Sequence, residues 1–288
     1  VTGVVGESGC GKTTLGLAIL GLLGRTRTVT AGKVQLAEQT IVAPGIDETP
    51  PLRGARVSFV PQDPFRSFDP LRTMGPQIRR PLELHRDLAA GEAGERVADL
   101  LDRLGVPEPE ALMRAYPHEL SGGMLQRAVI ATALACEPEL VIADEPTTAL
   151  DALVQVQVIE SFTRLVRELG TSVVVITHDL RLLERMADRI AVMYAGRIVE
   201  FGPASRLLTA PRHRYPAALL QASVRAATPG QRLPTVEGQP PSLPGTFLPC
   251  AFAPRCGWAD ERCRSEEPTY PWPADEGAAC HHPTEEQP

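Results

Sequence analysis

The segment Gly6-Glu7-Ser8-Gly9-Cys10-Gly11-Lys12-Thr13 has the complete pattern G-x-x-x-x-G-K-[ST] of a phosphate-binding loop, which makes it the strongest indicator of the fold. Glycines permit the tight curvature that turns successive backbone N–H groups towards one point. An apolar strand is predicted over residues 1–5, and an apolar helix over residues 14–23 would present its partly positive N-terminus to the loop. The sequence therefore predicts a site for a nucleoside triphosphate.

A second glycine motif, Ser121-Gly122-Gly123, stands directly before an apolar helix predicted to run to about residue 135. Serine is a favoured N-cap, and the glycines let backbone amides approach a ligand closely. The motif predicts a second anion site on the same chain. Taken alone, the tripeptide is also typical of an ordinary turn that caps a helix.

Polar side chains follow three apolar segments that we predict to be buried strands. They are Gln62 after residues 57–60, Asp144 and Glu145 at the end of residues 139–145, Asp151 shortly after, and His178 after residues 173–177. A carboxylate at such a strand end holds the Mg²⁺ of a nucleotide, and the next one can polarise a water. Each residue has a structural alternative, as a solvated charge, a turn residue or a hydrogen-bonded histidine. The ordered set favours a nucleotide-hydrolysing site.

The ordered set resembles the ATP-binding subunit of an ABC transporter, with matching motifs over roughly residues 1–202. The resemblance implies ATP bound by Gly6, Glu7, Ser8, Gly9, Cys10, Gly11, Lys12, Thr13, Thr14, Ser121, Gly122, Gly123 and Asp151. It implies Mg²⁺ held by Thr13, Gln62 and Asp144, directly or through water. It also implies that Glu145, His178 and Gln62 are catalytic, with Glu145 as the general base. Met124 stands where many members have glutamine, and peptide-importer ATPases often have methionine there.

The same resemblance implies the partners. ATP would lie between the phosphate loop of one subunit and the Ser121 motif of a second ATPase subunit, for which a paralogue is expected. Two transmembrane permeases and an extracytoplasmic substrate-binding protein would complete the transporter, with residues 63–72 contacting a permease. The chain is thus expected at the cytoplasmic face of the inner membrane, attached through the permeases.

Composition agrees with a water-soluble ATPase of one core and one appendage. No apolar run approaches the roughly 20 residues of a membrane-spanning helix, and no signal peptide is visible. The formal net charge is −6, and three arginines against eight acids in residues 250–288 supply −5 of it. The rest of the chain is near neutral, which argues against a nucleic-acid partner.

The chain starts at the strand before the phosphate loop and has no initiator methionine. Related ATPases carry further strands before this point, with an aromatic side chain that stacks on adenine. We therefore expect a fragment or a wrongly chosen start, in which the N-terminal strands are missing and nucleotide affinity is weaker than in a full-length protein.

The C-terminal part narrows the resemblance. Residues 203–224 are predicted as two short helices, and His213-Arg214-Tyr215-Pro216 is similar to the His-Pro-Tyr segment of oligopeptide and dipeptide importer ATPases, with Arg214 intruding. The resemblance implies an ATPase that powers import of di- or oligopeptides. Importers of nickel, glutathione or another small solute are alternatives. A soluble ABC ATPase of DNA repair or translation and a non-hydrolysing scaffold are less well supported.

Four cysteines, Cys250, Cys256, Cys263 and Cys280, lie in a proline-rich tail. Thiols stay reduced in the cytosol, so clustered cysteines there indicate a metal centre. Their spacing lacks the C-x2-4-C pairs typical of zinc and suits a [4Fe–4S] cluster, with zinc or no metal as alternatives. Some peptide-importer ATPases carry such a cluster. His281 and His282 adjoin Cys280, and we interpret them as exposed tail residues, with substitution as ligands the alternative.

The predicted fold is α/β, since apolar strands alternate with helices. A P-loop NTPase core of mainly parallel sheet would occupy residues 1–202, with a helical subdomain near residues 71–135. A proline- and cysteine-rich C-terminal extension would occupy residues 203–288.

Overall fold

The computed structural model describes residues 1–24, 26–148, 150–222, 235–241, 249–270 and 275–284. The chain divides into two compact units. The first unit comprises Val1–Lys12 and Ile176–Pro288, and the second comprises Thr13–Val175. Parts of the proline-rich tail that we predict to be extended lie outside the described residues.

The described residues form strands and helices in alternation. The strands are β1 (Thr2–Val5), β2 (Val34–Leu36), β3 (Gln39–Ala43), β4 (Ile46–Asp47), β5 (Val57–Val60), β6 (Leu140–Asp144), β7 (Ser172–Thr177), β8 (Arg189–Tyr194), β9 (Arg197–Pro203) and β10 (Gly277–Ala278). The helices are α1 (Lys12–Ile19), α2 (Met74–His85), α3 (Ala90–Arg103), α4 (Pro109–Arg114), α5 (Gly122–Leu134), α6 (Ala152–Glu168), α7 (Leu180–Met186), α8 (Ala204–Leu207), α9 (Arg214–Gln221) and α10 (Glu261–Ser265).

The first unit contains mixed strands in the order β10-β9-β8-β1, together with the helices α7 to α10. β1 is parallel to β8, with Thr2 opposite Arg189 and Val5 opposite Val192. β8 and β9 form an antiparallel hairpin, and β10 from the C-terminal extension adds an antiparallel edge strand to β9. A strand contributed by the extension is not predicted from the sequence, where this part of the chain is proline-rich.

The second unit contains three neighbouring strands in the order β7-β6-β5, and β5 is parallel to β6. Val57 in β5 lies opposite Leu140 in β6, and Val60 lies opposite Ala143. A small antiparallel sheet, β2-β3-β4, accompanies them. β7 ends two residues beyond Val175, the last residue of this unit. Parallel strands with helical crossovers are the arrangement that the alternating sequence pattern predicts.

Helices α2 to α5 follow β5 and precede β6 in the sequence, and they pack against one another. These helices pack because each has an apolar side to bury. In α3, the apolar residues recur at helical spacing and are all buried: Ala93, Val97, Leu100 and Leu101. Ile78 of α2 is fully buried in the same unit. Burying one such aliphatic side chain is worth about 1.5–3 kcal/mol.

Helix α1 is shorter than predicted, ending at Ile19 where residue 23 was expected. Gly21 has a φ of 64°, in the left-handed region that favours glycine. Its amide donates to the Ala18 carbonyl at 3.1 Å, and the Leu22 amide donates to the Leu17 carbonyl at 2.7 Å. These two bonds form a Schellman cap, which stops the helix although the following residues are apolar.

The predicted α/β class is confirmed. The strands at residues 57–60 and 139–145 occur within a residue or two of their predicted bounds, and residues 203–224 contain two short helices, as predicted, within the described part. Among the described residues, none of the helices combines the length and the apolar composition that crossing a membrane requires.

Candidate functional site

Three glycines shape the loop that follows β1, for two different reasons. Gly9 and Gly11 have φ values of 81° and 103°, which side chains rarely adopt. Gly6 is needed for space, because a Cβ there would lie 2.1 Å from the backbone oxygen of Met193 in β8. The loop therefore has the curvature that the motif predicts, and β8 fixes its position.

Lys12 is the buried first residue of α1. Its Nζ donates to the carbonyl oxygens of Gly6 and Glu7, at 2.7 and 3.1 Å. The Cys10 thiol lies 3.9 Å from the same Nζ, and burial raises the pKa of that thiol. The lysine ammonium is thus held against the loop itself, where its charge is available to an anion bound there.

Thr13 and Thr14 follow in the first turn of α1, and both side chains are exposed. The backbone amides of this turn lack carbonyl partners within the helix, which gives the helix start a partial positive charge. Ser8 is exposed as well. The described loop is therefore polar and open to solvent along its outer side.

Ser121 is the N-cap of α5, as predicted, and its Oγ accepts a hydrogen bond from the Met124 amide at 3.3 Å. Gly122 and Gly123 open the helix. A Cβ at Gly123 would lie 2.6 Å from Cγ1 of Val154 in α6. The second glycine therefore has a packing role that the sequence analysis did not predict.

Asp144 ends β6 and is buried, and Glu145 follows it. Glu145 has a φ of 49°, which is uncommon for a residue with a side chain. Such backbone costs on the order of 1–3 kcal/mol and is concentrated at functional sites. The Glu145 carboxylate accepts a hydrogen bond from the Thr148 hydroxyl at 2.9 Å. This contact, absent from the sequence analysis, orients the side chain.

Three further predicted residues lie at loop positions. Gln62 is exposed two residues after β5, and His178 is exposed directly after β7. Asp151 is the N-cap of α6, and its Oδ1 accepts hydrogen bonds from the amides of Leu153 and Val154 at 3.1 and 3.0 Å. Asp151 thus has a structural role in addition to any contact with nucleotide.

The four tail cysteines come together in the first unit. Burial raises the pKa of Cys250, and the nearby Cys263 and Cys280 raise it further. Burial is also the main cause of the raised pKa of Cys280, to which Cys256 contributes. The Cys250 amide donates to the Cys263 carbonyl at 3.1 Å. Four thiols close enough to influence one another form a donor set suited to a soft metal centre.

His281 and His282 are not the exposed tail residues that we predicted. Both are half-buried, with Nε2 of His281 3.0 Å from the Glu266 carbonyl. Nε2 of His282 lies 2.9 Å from the Asp260 carboxylate. Asp260, Cys263 and His282 place one possible ligand atom each within 4.8 Å of one another. This triad is a second possible metal site, and it shares Cys263 with the cysteine set.

Two residues that contact the phosphate loop were not assigned to it from the sequence. The hydroxyl of Tyr215 in α9 accepts a hydrogen bond from the Glu7 amide at 2.9 Å. Arg255, which directly precedes Cys256 in the tail, pairs with the Glu7 carboxylate at 2.6 Å. Tyr215 lies in a recognised motif, but no local pattern marks Arg255, since the contact joins residues far apart in the chain.

Comparisons with known proteins agree with this arrangement. A family described as "ABC transporter" matches residues 1–148, and one described as "Oligopeptide/dipeptide transporter, C-terminal region" matches residues 199–263. The chain is 42% identical over 287 residues to the dipeptide transport ATP-binding protein DppD of Escherichia coli (strain K12), covering 99% of this chain and 88% of the relative. It is 40% identical over 284 residues to the oligopeptide transport ATP-binding protein OppD of the same organism, covering 99% and 84%.

Solved structures show the same likeness. The ATP-binding cassette MJ0796, in a dimeric post-hydrolysis state bound to ADP and Pi, matches with a TM-score of 0.60 and 28% identity, over 70% of this chain and 84% of that chain. The resemblance drawn from the sequence motifs is thereby confirmed. The chain belongs to the ABC transporter family, as an ATPase subunit of its oligopeptide and dipeptide transport branch.

Proposed function

We propose that this chain hydrolyses ATP to drive the import of di- or oligopeptides through a membrane-bound ABC transporter. The observation that carries the proposal is one chain that joins the phosphate loop at Gly6 to Thr13 with a C-terminal region of the oligopeptide/dipeptide transporter type. The relatives DppD and OppD are named for dipeptide and oligopeptide transport. An importer of nickel, glutathione or another small solute is the alternative.

In the proposed site, the loop residues Gly6, Glu7, Ser8, Gly9, Cys10, Gly11, Lys12, Thr13 and Thr14 hold the phosphates of ATP. Lys12 offsets their charge, because its ammonium already lies against the loop carbonyls. The Thr13 hydroxyl, Asp144 and Gln62 would hold Mg²⁺, which would neutralise negative charge on the phosphates. The donors fit, since hydroxyl, carboxylate and amide oxygens are the hard ligands that Mg²⁺ prefers.

Hydrolysis transfers the γ-phosphoryl group to water. Glu145 accepts a proton from the attacking water, and the water oxygen forms a bond to the γ-phosphorus. The bond between the γ-phosphorus and the β-γ bridging oxygen breaks, and ADP leaves with that oxygen. His178 contacts the γ-phosphate. Because the protein forms no covalent bond to the phosphoryl group in this mechanism, positioning and charge stabilisation supply most of the acceleration of ATP hydrolysis.

A second ATPase subunit completes the site. Ser121, Gly122 and Gly123 at the start of α5, together with Asp151, face the nucleotide held on the partner's loop. The solved dimer of the cassette MJ0796 supports pairing of two such chains. We propose a paralogue as partner, two transmembrane permeases contacted by residues 63–72, and an extracytoplasmic binding protein that captures the peptide. The complex would hold this chain at the cytoplasmic face of the inner membrane.

The transport proposal is tested in proteoliposomes. This chain is co-expressed with a paralogous ATPase, two permeases and a binding protein from its own genome, and uptake of a radiolabelled dipeptide is measured with ATP inside. Uptake that stops in the Glu145→Gln variant supports the proposal. A complex that takes up nickel or glutathione but no peptide would replace peptide import with the alternative.

We further propose that Cys250, Cys256, Cys263 and Cys280 hold a [4Fe–4S] cluster, which would supply a structural or regulatory cross-link rather than a step of hydrolysis. The donor set fits, because four thiols cluster in one module. No three of these four described sulfur atoms lie within 4.8 Å of one another, whereas tetrahedral zinc with bonds of 2.3 Å needs sulfur atoms roughly 3.8 Å apart. The wider arrangement favours the larger cluster.

Metal analysis with two variants separates the candidate sites. Protein purified without oxygen is assayed for iron, acid-labile sulfide and zinc, and its absorption near 400 nm is recorded. Iron and sulfide that are lost in Cys256→Ser and kept in His282→Gln support the cluster, because His282 belongs only to the triad with Asp260 and Cys263. Zinc that is kept in Cys256→Ser and lost in His282→Gln would assign the metal to the triad instead.

A further inference from the structure

Arg255 belongs to the C-terminal extension, yet its guanidinium contacts the phosphate loop. Nη1 lies 2.6 Å from Oε2 of Glu7, and Nη2 lies 3.0 Å from Oε1, so the ion pair is two-pronged. The Arg255 side chain is only 5% exposed. A two-pronged pair fixes the orientation of both side chains as well as their separation.

The other donors of Arg255 are also satisfied. Its Nε donates to the Glu237 carbonyl at 2.8 Å, and Nη2 donates to the Val236 carbonyl at 3.2 Å. Nη1 also lies 3.2 Å from the Tyr194 hydroxyl. A guanidinium has five N–H groups, and here there are five acceptor contacts. Since burying an unsatisfied cation is costly, this complete set indicates a built position rather than a chance surface contact.

Glu7, the second residue of the loop, is held at three points. Its carboxylate pairs with Arg255, its amide donates to the Tyr215 hydroxyl at 2.9 Å, and its carbonyl accepts from Lys12 Nζ at 3.1 Å. Tyr215 is fully buried and its ring packs on Tyr194, with centroids 4.6 Å apart. The position of the Lys12 ammonium is therefore linked, through one residue, to Arg255.

Charge gives this contact a second consequence. Glu7 places a carboxylate in a loop that binds a polyanion, and like charges at close range oppose binding. Arg255, which belongs to the extension, neutralises that carboxylate, and both side chains are largely shielded from solvent. Removing Arg255 would leave the Glu7 charge facing the phosphates and would free the loop to move.

We propose that Arg255 is a positioning residue for ATP: acting through Glu7, it holds the phosphate loop and cancels the loop's own negative charge. Nucleotide affinity then depends on the C-terminal extension being docked. The proposal rests on the nucleotide site described above and goes beyond it by assigning a role to a residue outside the ATP-binding cassette.

The test measures binding of a fluorescent ATP analogue, methylanthraniloyl-ATP with Mg²⁺, together with KM and kcat for ATP. The variants are Arg255→Gln, Glu7→Gln and the double variant. Arg262→Gln is the matched control, because Arg262 is an exposed arginine of the same extension whose ion pair, within the described residues, is with nearby Glu266. Thermal melting and iron content are recorded for each protein, so that binding is compared only among folded chains with equal metal.

Arg255→Gln is expected to raise the Kd about ten-fold or more, with a larger change in KM than in kcat, because misplacement of a binding group alone can cost up to about a hundred-fold. The double variant is expected to bind at least about three-fold more tightly than Arg255→Gln, since the uncompensated carboxylate is gone. Raising the salt concentration should reduce the difference in Kd between Arg255→Gln and wild type, because salt screens the repulsion between the Glu7 carboxylate and the phosphates. A purely structural role would produce neither the recovery nor the salt dependence.

Two milder variants keep the test valid if Arg255→Gln does not fold. Arg255→Lys retains the charge and is expected to bind nucleotide more tightly than any neutral replacement, and Tyr215→Phe should raise the Kd about three- to ten-fold by removing one hydrogen bond. Folded variants that all bind the analogue within two-fold of wild type would overturn this inference alone. A wild-type chain that binds no ATP analogue would overturn the proposed function as well.

Discussion

The carboxylate of Glu200, in the middle of β9, accepts a hydrogen bond from the backbone amide of His213, the N-cap of α9, at 2.7 Å. Glu200 is fully buried. It also accepts from the Arg212 amide at 2.9 and 3.0 Å and from Arg206 Nη1 at 3.0 Å. One carboxylate therefore organises the segment that carries Tyr215 to the phosphate loop.

Replacing Glu200 by glutamine is expected to destabilise the protein by about 3 kcal/mol, because the half-buried Arg206 and two backbone amides lose their anionic acceptor. The measurement is the melting temperature at neutral pH. Glu267→Gln is the control, since Glu267 pairs with Arg197 at the exposed surface and should change stability by less than about 1 kcal/mol. Equal melting temperatures for Glu200→Gln and wild type would contradict this role.

His213 makes stability depend on pH. Burial lowers its pKa from 6.5 to about 4, and its Nδ1 accepts from the Tyr215 amide at 3.0 Å. The unfolded chain therefore binds a proton between pH 6.5 and pH 4 that the folded chain does not. This contribution to stability is present in full above pH 6.5 and is lost as the pH falls towards 4.

Between pH 7 and pH 5 the loss from His213 is expected to be about 2 kcal/mol. The His213→Asn variant keeps an N-cap acceptor but does not titrate. Melting temperatures at the two pH values should fall further for wild type than for His213→Asn. Parallel losses in the two proteins would mean that His213 is not the titrating group.

Lys12 and Glu145 should separate binding from hydrolysis. Glu145→Gln is expected to bind ATP as wild type does and to lose hydrolysis by about 10²–10⁴-fold, because it removes the general base. Lys12→Ala should weaken binding and turnover together, because it removes the charge against the loop carbonyls. Both are measured by release of phosphate and by binding of the ATP analogue.

The control for these two variants is Glu92→Gln in the first turn of α3, an exposed acid outside the proposed site. It should bind and hydrolyse ATP as wild type does. Retained turnover in Glu145→Gln would remove Glu145 from the role of base, leaving its hydrogen bond to Thr148 as a structural contact.

Ser121 should show two separable roles. Ser121→Ala loses the cap on α5 and about 1 kcal/mol of stability. Ser121→Asp keeps a capping oxygen but adds a negative charge where the partner's nucleotide is proposed to lie, so its stability should match wild type while turnover falls more than about ten-fold. Melting and phosphate release are measured side by side. Full turnover in Ser121→Asp would place Ser121 away from the nucleotide.

Much of the fold and site could be predicted because the relevant signals are local. Apolar runs identified the strands at residues 57–60 and 139–145, and glycine, lysine and threonine at fixed spacing identified the loop. The end of α1 was missed, since the Schellman cap at Gly21 competes with an apolar pattern that continues beyond it. Predictions from composition likewise failed for His281 and His282, which are bonded to Glu266 and Asp260.

The phosphate loop, the order of the motifs and the family could all be read from the amino-acid sequence, because each depends on residues close together in the chain and on their chemistry. Two features became visible in the folded chain alone: Arg255 and Tyr215 hold Glu7, and β10 extends the sheet beside β9. Those contacts join residues far apart in sequence. Which residues meet in such contacts depends on packing and on the pairing of buried charges, and no local sequence pattern encodes either.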